Sequence, residues 1–166
     1  MRDLKLQVNQ KNKSFTPYIS IIQKGQPVEF ANQDDITHHI FSASRDQRFS
    51  FKIRSGDKNS DVQFNQVAKI SMGCNIHDWM SGYLLVLDTP YFEKTDKNGR
   101  VEFKLDFNKN AKINIWHPQM REDAPSLSKD ISISKSGITV NFHLVHPLDS
   151  IPAQESGEDF DFLDDY

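Results

Sequence analysis

Short runs in which apolar and polar residues alternate recur along the chain, and this pattern restricts its fold more than any other feature. Such runs occur in "PVEFANQDD", "YLLVLD", "GRVEFKLDF", "AKINIWHP" and "GITVNFHLV". An apolar residue at every second position buries one face of a β-strand and leaves the other in water. Turn sequences such as "KGQP", "RSGDKNSD" and "TDKNGR" separate the runs, and helical periodicity is scarce. The sequence therefore predicts an all-β protein.

The length of 166 residues suits one large or two small domains. Pro90 in "LDTPYF" cannot donate to a central ladder, so we place a domain boundary near residue 89. Residues 1–88 and 89–148 are predicted to form two β-sandwiches, and 149–166 an acidic flexible tail. That tail has seven acidic residues and no Lys or Arg, whereas the remainder holds all 20 basic residues against 16 acids.

The single cysteine excludes an internal disulfide but leaves a catalytic nucleophile or a metal ligand open. No run approaches the roughly 18 apolar residues of a membrane span, and the first residues lack the apolar region of a secretory signal. We expect no membrane insertion and no nucleic-acid partner.

The stretch "SMGCNIHDWMSG" brings three metal-binding residue types together at regular spacing. Cys74, His77 and Met80 form a C-x2-H-x2-M motif, and "DDITHHIFSAS" supplies a distant histidine, His38 or His39. One thiolate, two imidazoles and a weak axial thioether are the ligands of electron-transfer copper centres. The motif therefore predicts copper, although a lone cysteine is more often a small buried hydrophobic residue.

The other histidines fit structural roles better. His117 precedes Pro118, where a strand-end hydrogen bond is the simpler interpretation. His143 and His146 are three residues apart, which puts them on opposite faces of a strand and argues against joint chelation.

On these residues the chain resembles the cupredoxins of the plastocyanin and amicyanin type over about residues 5–88. "CNIHDWM" is similar to the short amicyanin-type ligand loop, and the strand sequence "SGYLLVLD" follows it. The upstream half of the pattern is carried by Gly25, Val28, Phe30 and Asn32. The resemblance implies a Greek-key sandwich that binds one copper ion per chain through His38, Cys74, His77 and Met80.

The choice of first ligand rests on counting. In plastocyanin-like sequences the ligand comes six positions after the Asn that ends the Val-x-Phe strand, which gives His38 after Asn32. His39 shares its face with the more apolar series Phe41 and Ala43. We expect His38 to bind the metal and His39, which stands where many relatives have Asn, to hydrogen-bond the Cys74 loop.

The resemblance also implies a function. It indicates a type 1 (blue) copper protein that carries single electrons between redox partners and docks near Ile76 and Trp79. With all four ligand positions occupied there is no open site for water or substrate, so we expect no enzymatic activity. It implies a periplasmic or other extracytoplasmic location, with the signal absent from this sequence. Residues 89–148 resemble a transthyretin-like or carboxypeptidase-regulatory-like β-sandwich, and the joined arrangement resembles bacterial methylamine-utilisation or plastocyanin-like proteins.

Two other functions remain open at this point. A copper-trafficking or copper-sensing module would treat the ion as cargo, whereas an electron carrier would exchange it slowly. A structural or adhesive extracytoplasmic protein would have the fold without the metal.

Overall fold

The computed structural model describes residues 6–45, 47–105, 110–121, 127–134 and 137–154. Within those ranges the regular structure consists of β-strands, and no α-helix is present. The strands are β1 Leu6–Lys11, β2 Ser14–Thr16, β3 Ile19–Gln23, β4 Pro27–Asn32, β5 His38–Ser42, β6 Phe49–Ile53, β7 Lys58–Gln63, β8 Ala68–Cys74, β9 Ser81–Leu87, β10 Asn110–Asn114 and β11 Ser128–Ser132. The predicted all-β class is confirmed.

Two sheets account for the strands before residue 93. One has the order β2-β1-β4-β7 and the other the order β3-β9-β8-β5-β6. The pairs β1–β4 and β3–β9 are parallel, and the remaining neighbours are antiparallel. Strands β8 and β9 alternate buried and more exposed residues along their length, which is the period expected from "YLLVLD".

The two sheets share one hydrophobic core. Val8 and Phe30 of the first sheet and Ile40, Ile70 and Leu84 of the second are each 0% exposed and belong to one cluster of packed side chains. Full burial of a large apolar side chain stabilises a fold by about 1.5–3 kcal/mol. The two sheets therefore form a sandwich.

The chain divides into two compact units. The first holds the described residues through Phe92 together with Pro152–Gln154, and the second is Glu93–Ile151. The boundaries at residues 88 and 148 stay predictions. Of the predicted acidic tail, residues 155–166 lie outside the described part of the chain. Among the described residues, no helix has the length and apolar character needed to cross a membrane.

The second unit contains less regular structure than its alternating sequence predicts. Its described strands are β10 and β11, which pair antiparallel. The runs expected around Phe103 and Leu144 lie outside strands, and these side chains are 40% and 36% exposed. Alternation supplies an apolar face, but a strand forms only where another strand accepts its backbone hydrogen bonds. The predicted turn is present, with Gly99 at a φ of 73°.

Candidate metal centre

The predicted ligands converge because two strands are antiparallel neighbours. His38 begins β5 and Cys74 ends β8, and the ladder pairs Ile40 with Cys74. In an antiparallel pair, the start of one strand lies beside the end of the other. Gly73 allows the two strands to pack closely, since an added Cβ there would lie 3.0 Å from the ring of Phe41.

The distances within this group match a trigonal metal site. The Sγ of Cys74 lies 3.6 Å from Nδ1 of His38 and 3.8 Å from Nδ1 of His77. One ligand atom from each of the three residues lies within 4.8 Å of the other two. A metal bound at about 2.3 Å to sulfur and about 2.0 Å to nitrogen, at trigonal angles, separates the two atoms by about 3.7 Å. The thiol and imidazoles are thus spaced to share one ion.

All three side chains are buried. The exposed fractions are 0% for His38, 4% for Cys74 and 7% for His77. Burial, followed by the charges of His38 and Lys13, lowers the pKa of His77 against the opposing effect of Asp34. A neutral imidazole keeps a lone pair for a metal.

Met80 returns to the core at the end of the ligand loop. Its backbone N–H donates to the carbonyl of His77 at 3.0 Å, which closes a turn directly before β9. The side chain is 2% exposed and belongs to the same core cluster as Cys74. Its axial role stays a prediction.

His38, rather than His39, lies beside Cys74. His39 faces outward from β5, where its Nε2 lies 2.7 Å from Ser50 Oγ and its Nδ1 accepts from Asn75 Nδ2 at 3.2 Å. The backbone N–H of Asn75 also donates to the carbonyl of His39 at 3.0 Å. His39 therefore connects the loop after Cys74 to the strand that holds His38.

Asp34 was not among the sequence-predicted site residues, yet it hydrogen-bonds one of them. His38 Nε2 lies 2.8 Å from Asp34 Oδ2. Burial raises the pKa of Asp34, but hydrogen bonds from the amides of Lys13 and Asn12 and from His38 outweigh it, so the pKa falls below its usual value. The sequence signal was an acidic residue four positions before the predicted ligand His38, in "DDITHH".

Asn32 organises the loop that carries Asp34. Its Nδ2 donates to the carbonyls of Ile36 at 2.6 Å and Ile53 at 3.1 Å, and its Oδ1 accepts from the N–H of Asp34 at 2.9 Å. Asn32 is 2% exposed. The residue that ends the Val-x-Phe pattern therefore fixes the path of the chain toward His38.

The predicted docking residues differ in exposure. Ile76 is 52% exposed, whereas Trp79 is partly buried against the core. The Trp79 ring lies 5.2 Å from the His77 ring, centroid to centroid.

The remaining histidines do not join the centre. The only group of three His, Cys or acidic residues suited to a metal within the described ranges is His38, Cys74 and His77. His117 Nδ1 accepts from the N–H of Gln119 at 3.2 Å, and burial lowers its pKa. His143 and His146 are exposed.

No protein-family profile matches this chain, and no curated protein does. Solved structures give distant matches. A copper-containing nitrite reductase from Thermus scotoductus SA-01 is 23% identical at a TM-score of 0.48, over 52% of this chain and 23% of that one. A purple cupredoxin from Nitrosopumilus maritimus is 22% identical at a TM-score of 0.44, over 49% and 99% of the two chains. An oxidised amicyanin mutant is 13% identical at a TM-score of 0.46, over 49% and 81%.

The assignment of the metal rests on the donor set itself. A soft thiolate with two neutral imidazoles suits copper, and a nearby methionine is typical of copper sites that transfer electrons. The buried group of His38, Cys74 and His77, with Met80 in the same core, fits a single copper ion.

Proposed function

We propose that the protein is a one-electron carrier with a type 1 copper centre. His38, Cys74 and His77 would bind the ion, with Met80 as the fourth and weaker ligand. Bound copper supplies a couple that gains and loses one electron. The observation that carries the proposal is the buried triangle of one sulfur and two nitrogens, with Sγ to N distances of 3.6 and 3.8 Å.

The surroundings of the ligands favour a carrier over an enzyme. Catalytic metal sites keep an open position for water or substrate. Here the three gathered ligands are each at most 7% exposed, and the fourth predicted ligand is buried with them.

The protein also holds its ligands in place. Two come from paired strands and the third from a loop that a backbone hydrogen bond closes. Ligands held on rigid elements move little when the charge of the ion changes. Small rearrangement on gaining or losing an electron is what a carrier needs.

Electrons would enter and leave near His77. This residue is the most exposed of the three gathered ligands, and the neighbouring Ile76 is half exposed. We propose that a redox partner protein docks over Ile76 and Trp79, and that the carrier works outside the cytoplasm, as the resemblance to cupredoxins implies.

Voltammetry of the copper-loaded protein tests this function. We expect a reversible one-electron wave at one copper per chain, and slow loss of copper to a chelator. Met80→Gln should keep the copper and lower the reduction potential, because an amide oxygen stabilises Cu(II) relative to Cu(I).

Met80→Leu is the matched control, since it keeps the apolar volume but removes the donor, and it should raise the potential. Identical potentials in both variants would contradict the axial role. Rapid exchange of copper without a reversible wave would instead favour copper trafficking.

A further inference from the structure

The two nitrogens of His38 have different neighbours. Nδ1 lies 3.6 Å from Cys74 Sγ, on the side of the metal centre. Nε2 lies 2.8 Å from Asp34 Oδ2, on the opposite side of the ring. A neutral imidazole carries one proton, and the nitrogen that binds a metal must be free of it. A carboxylate beside Nε2 favours the proton there and leaves Nδ1 available.

The carboxylate of Asp34 is itself held by the backbone. Its Oδ1 accepts from the N–H of Asn12 at 2.6 Å, and its Oδ2 accepts from the N–H of Lys13 at 2.9 Å. Asn12 and Lys13 form the two-residue turn between β1 and β2, with φ values of 53° and 54°. Positive φ at both positions is typical of tight hairpin turns.

This arrangement joins the first sheet to the metal centre in the second. Asp34 lies in the loop between β4 and β5, its side chain is 9% exposed, and it bridges the β1–β2 turn to His38. Hydrogen bonds to an ionised carboxylate are about twice as strong as neutral ones. The His38 ring is therefore fixed in orientation before any metal binds.

We propose that Asp34 is a positioning residue that holds His38 with its proton on Nε2 and lowers the reduction potential of the copper centre. The inference rests on the proposed function and adds Asp34 to the residues that set the reduction potential. A carboxylate that accepts a hydrogen bond from the ring N–H makes the other nitrogen of the imidazole a stronger metal ligand. Stronger donation stabilises Cu(II) more than Cu(I).

Asp34→Asn tests the proposal because it removes the charge and keeps the shape of the side chain. Asp35→Asn is the matched control, since Asp35 is exposed and one residue away. Changing such a partner of a metal ligand costs about 10–100-fold in affinity, and we expect this loss for Cu(II), with a smaller loss for Cu(I). Each tenfold difference between the two losses raises the potential by about 59 mV.

The outcomes separate three explanations. A clear rise in potential for Asp34→Asn with little change for Asp35→Asn supports the proposal. Equal shifts in the two variants would overturn it, because a long-range charge effect would then suffice. An unchanged potential with a lower melting temperature would also overturn it, because Asp34 would then serve only the fold.

A measurement on the metal-free wild-type protein needs no variant. Nitrogen-15 NMR of the His38 ring, recorded at a pH where the ring is neutral, should show its single proton on Nε2. A proton on Nδ1 would overturn the proposal even if Asp34→Asn failed to fold. Failure of the proposed function is a separate result, in which the wild-type protein binds no copper while His38 still has the expected tautomer.

Discussion

The two units of this chain share an alternating sequence but differ in what they bury. Before residue 93, residues such as Phe30 and Leu84 are 0% exposed and pack between two sheets. In Glu93–Ile151, Leu127 is the one hydrophobic side chain among the described residues that is buried. Alternation alone thus predicts strands, and a second sheet decides whether their apolar faces form a core.

The predicted metal ligands lie in the unit with the core. His38 is 0% exposed at the start of β5, and Cys74 is 4% exposed at the end of β8. The histidines of the second unit, such as the exposed His143, have no such support. A precise donor geometry needs side chains whose positions are fixed by packing, and only the first unit supplies that packing in the described residues.

Replacing one phenylalanine by alanine in each unit should give the greatest difference in stability between them. Phe30→Ala should destabilise the first unit by about 3–5 kcal/mol, because it leaves a cavity in a packed core. Phe103 is 40% exposed, and Phe103→Ala should cost less than about 1 kcal/mol. Native-state hydrogen exchange of amides in β4 and β10 measures each unit separately. Equal losses of stability in the two variants would show that the two units do not differ in how their phenylalanines are packed.

Copper should increase the difference in stability between the two units, by a smaller amount. A ligand that binds only the folded state adds about 2.7 kcal/mol when its free concentration is 100 times its Kd. Hydrogen exchange in β5 and β8 should slow accordingly when copper is added at that level. Amides of β10 and β11 serve as the internal reference. An equal slowing of amide exchange in β10 and β11 would show that the two units open together.

The local parts of the fold were readable from the sequence. The alternation of Leu84 and Val86 predicted a half-buried strand, and β9 has that pattern. The alternation of Val101 and Phe103 is as regular, yet this segment lies outside strands. The difference depends on which distant segment supplies the neighbouring strand, and short-range spacing does not contain that information.

In the candidate site, too, the sequence predicted local contacts but not a contact that depends on a distant segment. Cys74 and His77 are three residues apart, so their proximity follows from the loop, and counting from Asn32 pointed to His38. Asp34 was missed because its contact with His38 depends on a turn more than 20 residues earlier. That turn has positive φ at Asn12 and Lys13, and Asn-Lys is a weaker turn signal than Asn-Gly because Lys disfavours positive φ.

In the proposed site, Cys74 supplies a thiolate to one copper ion beside two imidazoles. The most direct test is the visible absorption and EPR spectrum of the protein after one equivalent of Cu(II), compared with Cys74→Ser and with His143→Ala as the control. We predict an intense sulfur-to-copper charge-transfer band in the wild type and the control, and its loss in Cys74→Ser with the β-sheet circular dichroism unchanged. The thiolate assignment is wrong if Cys74→Ser keeps the band, or if wild-type protein binds copper without showing the band.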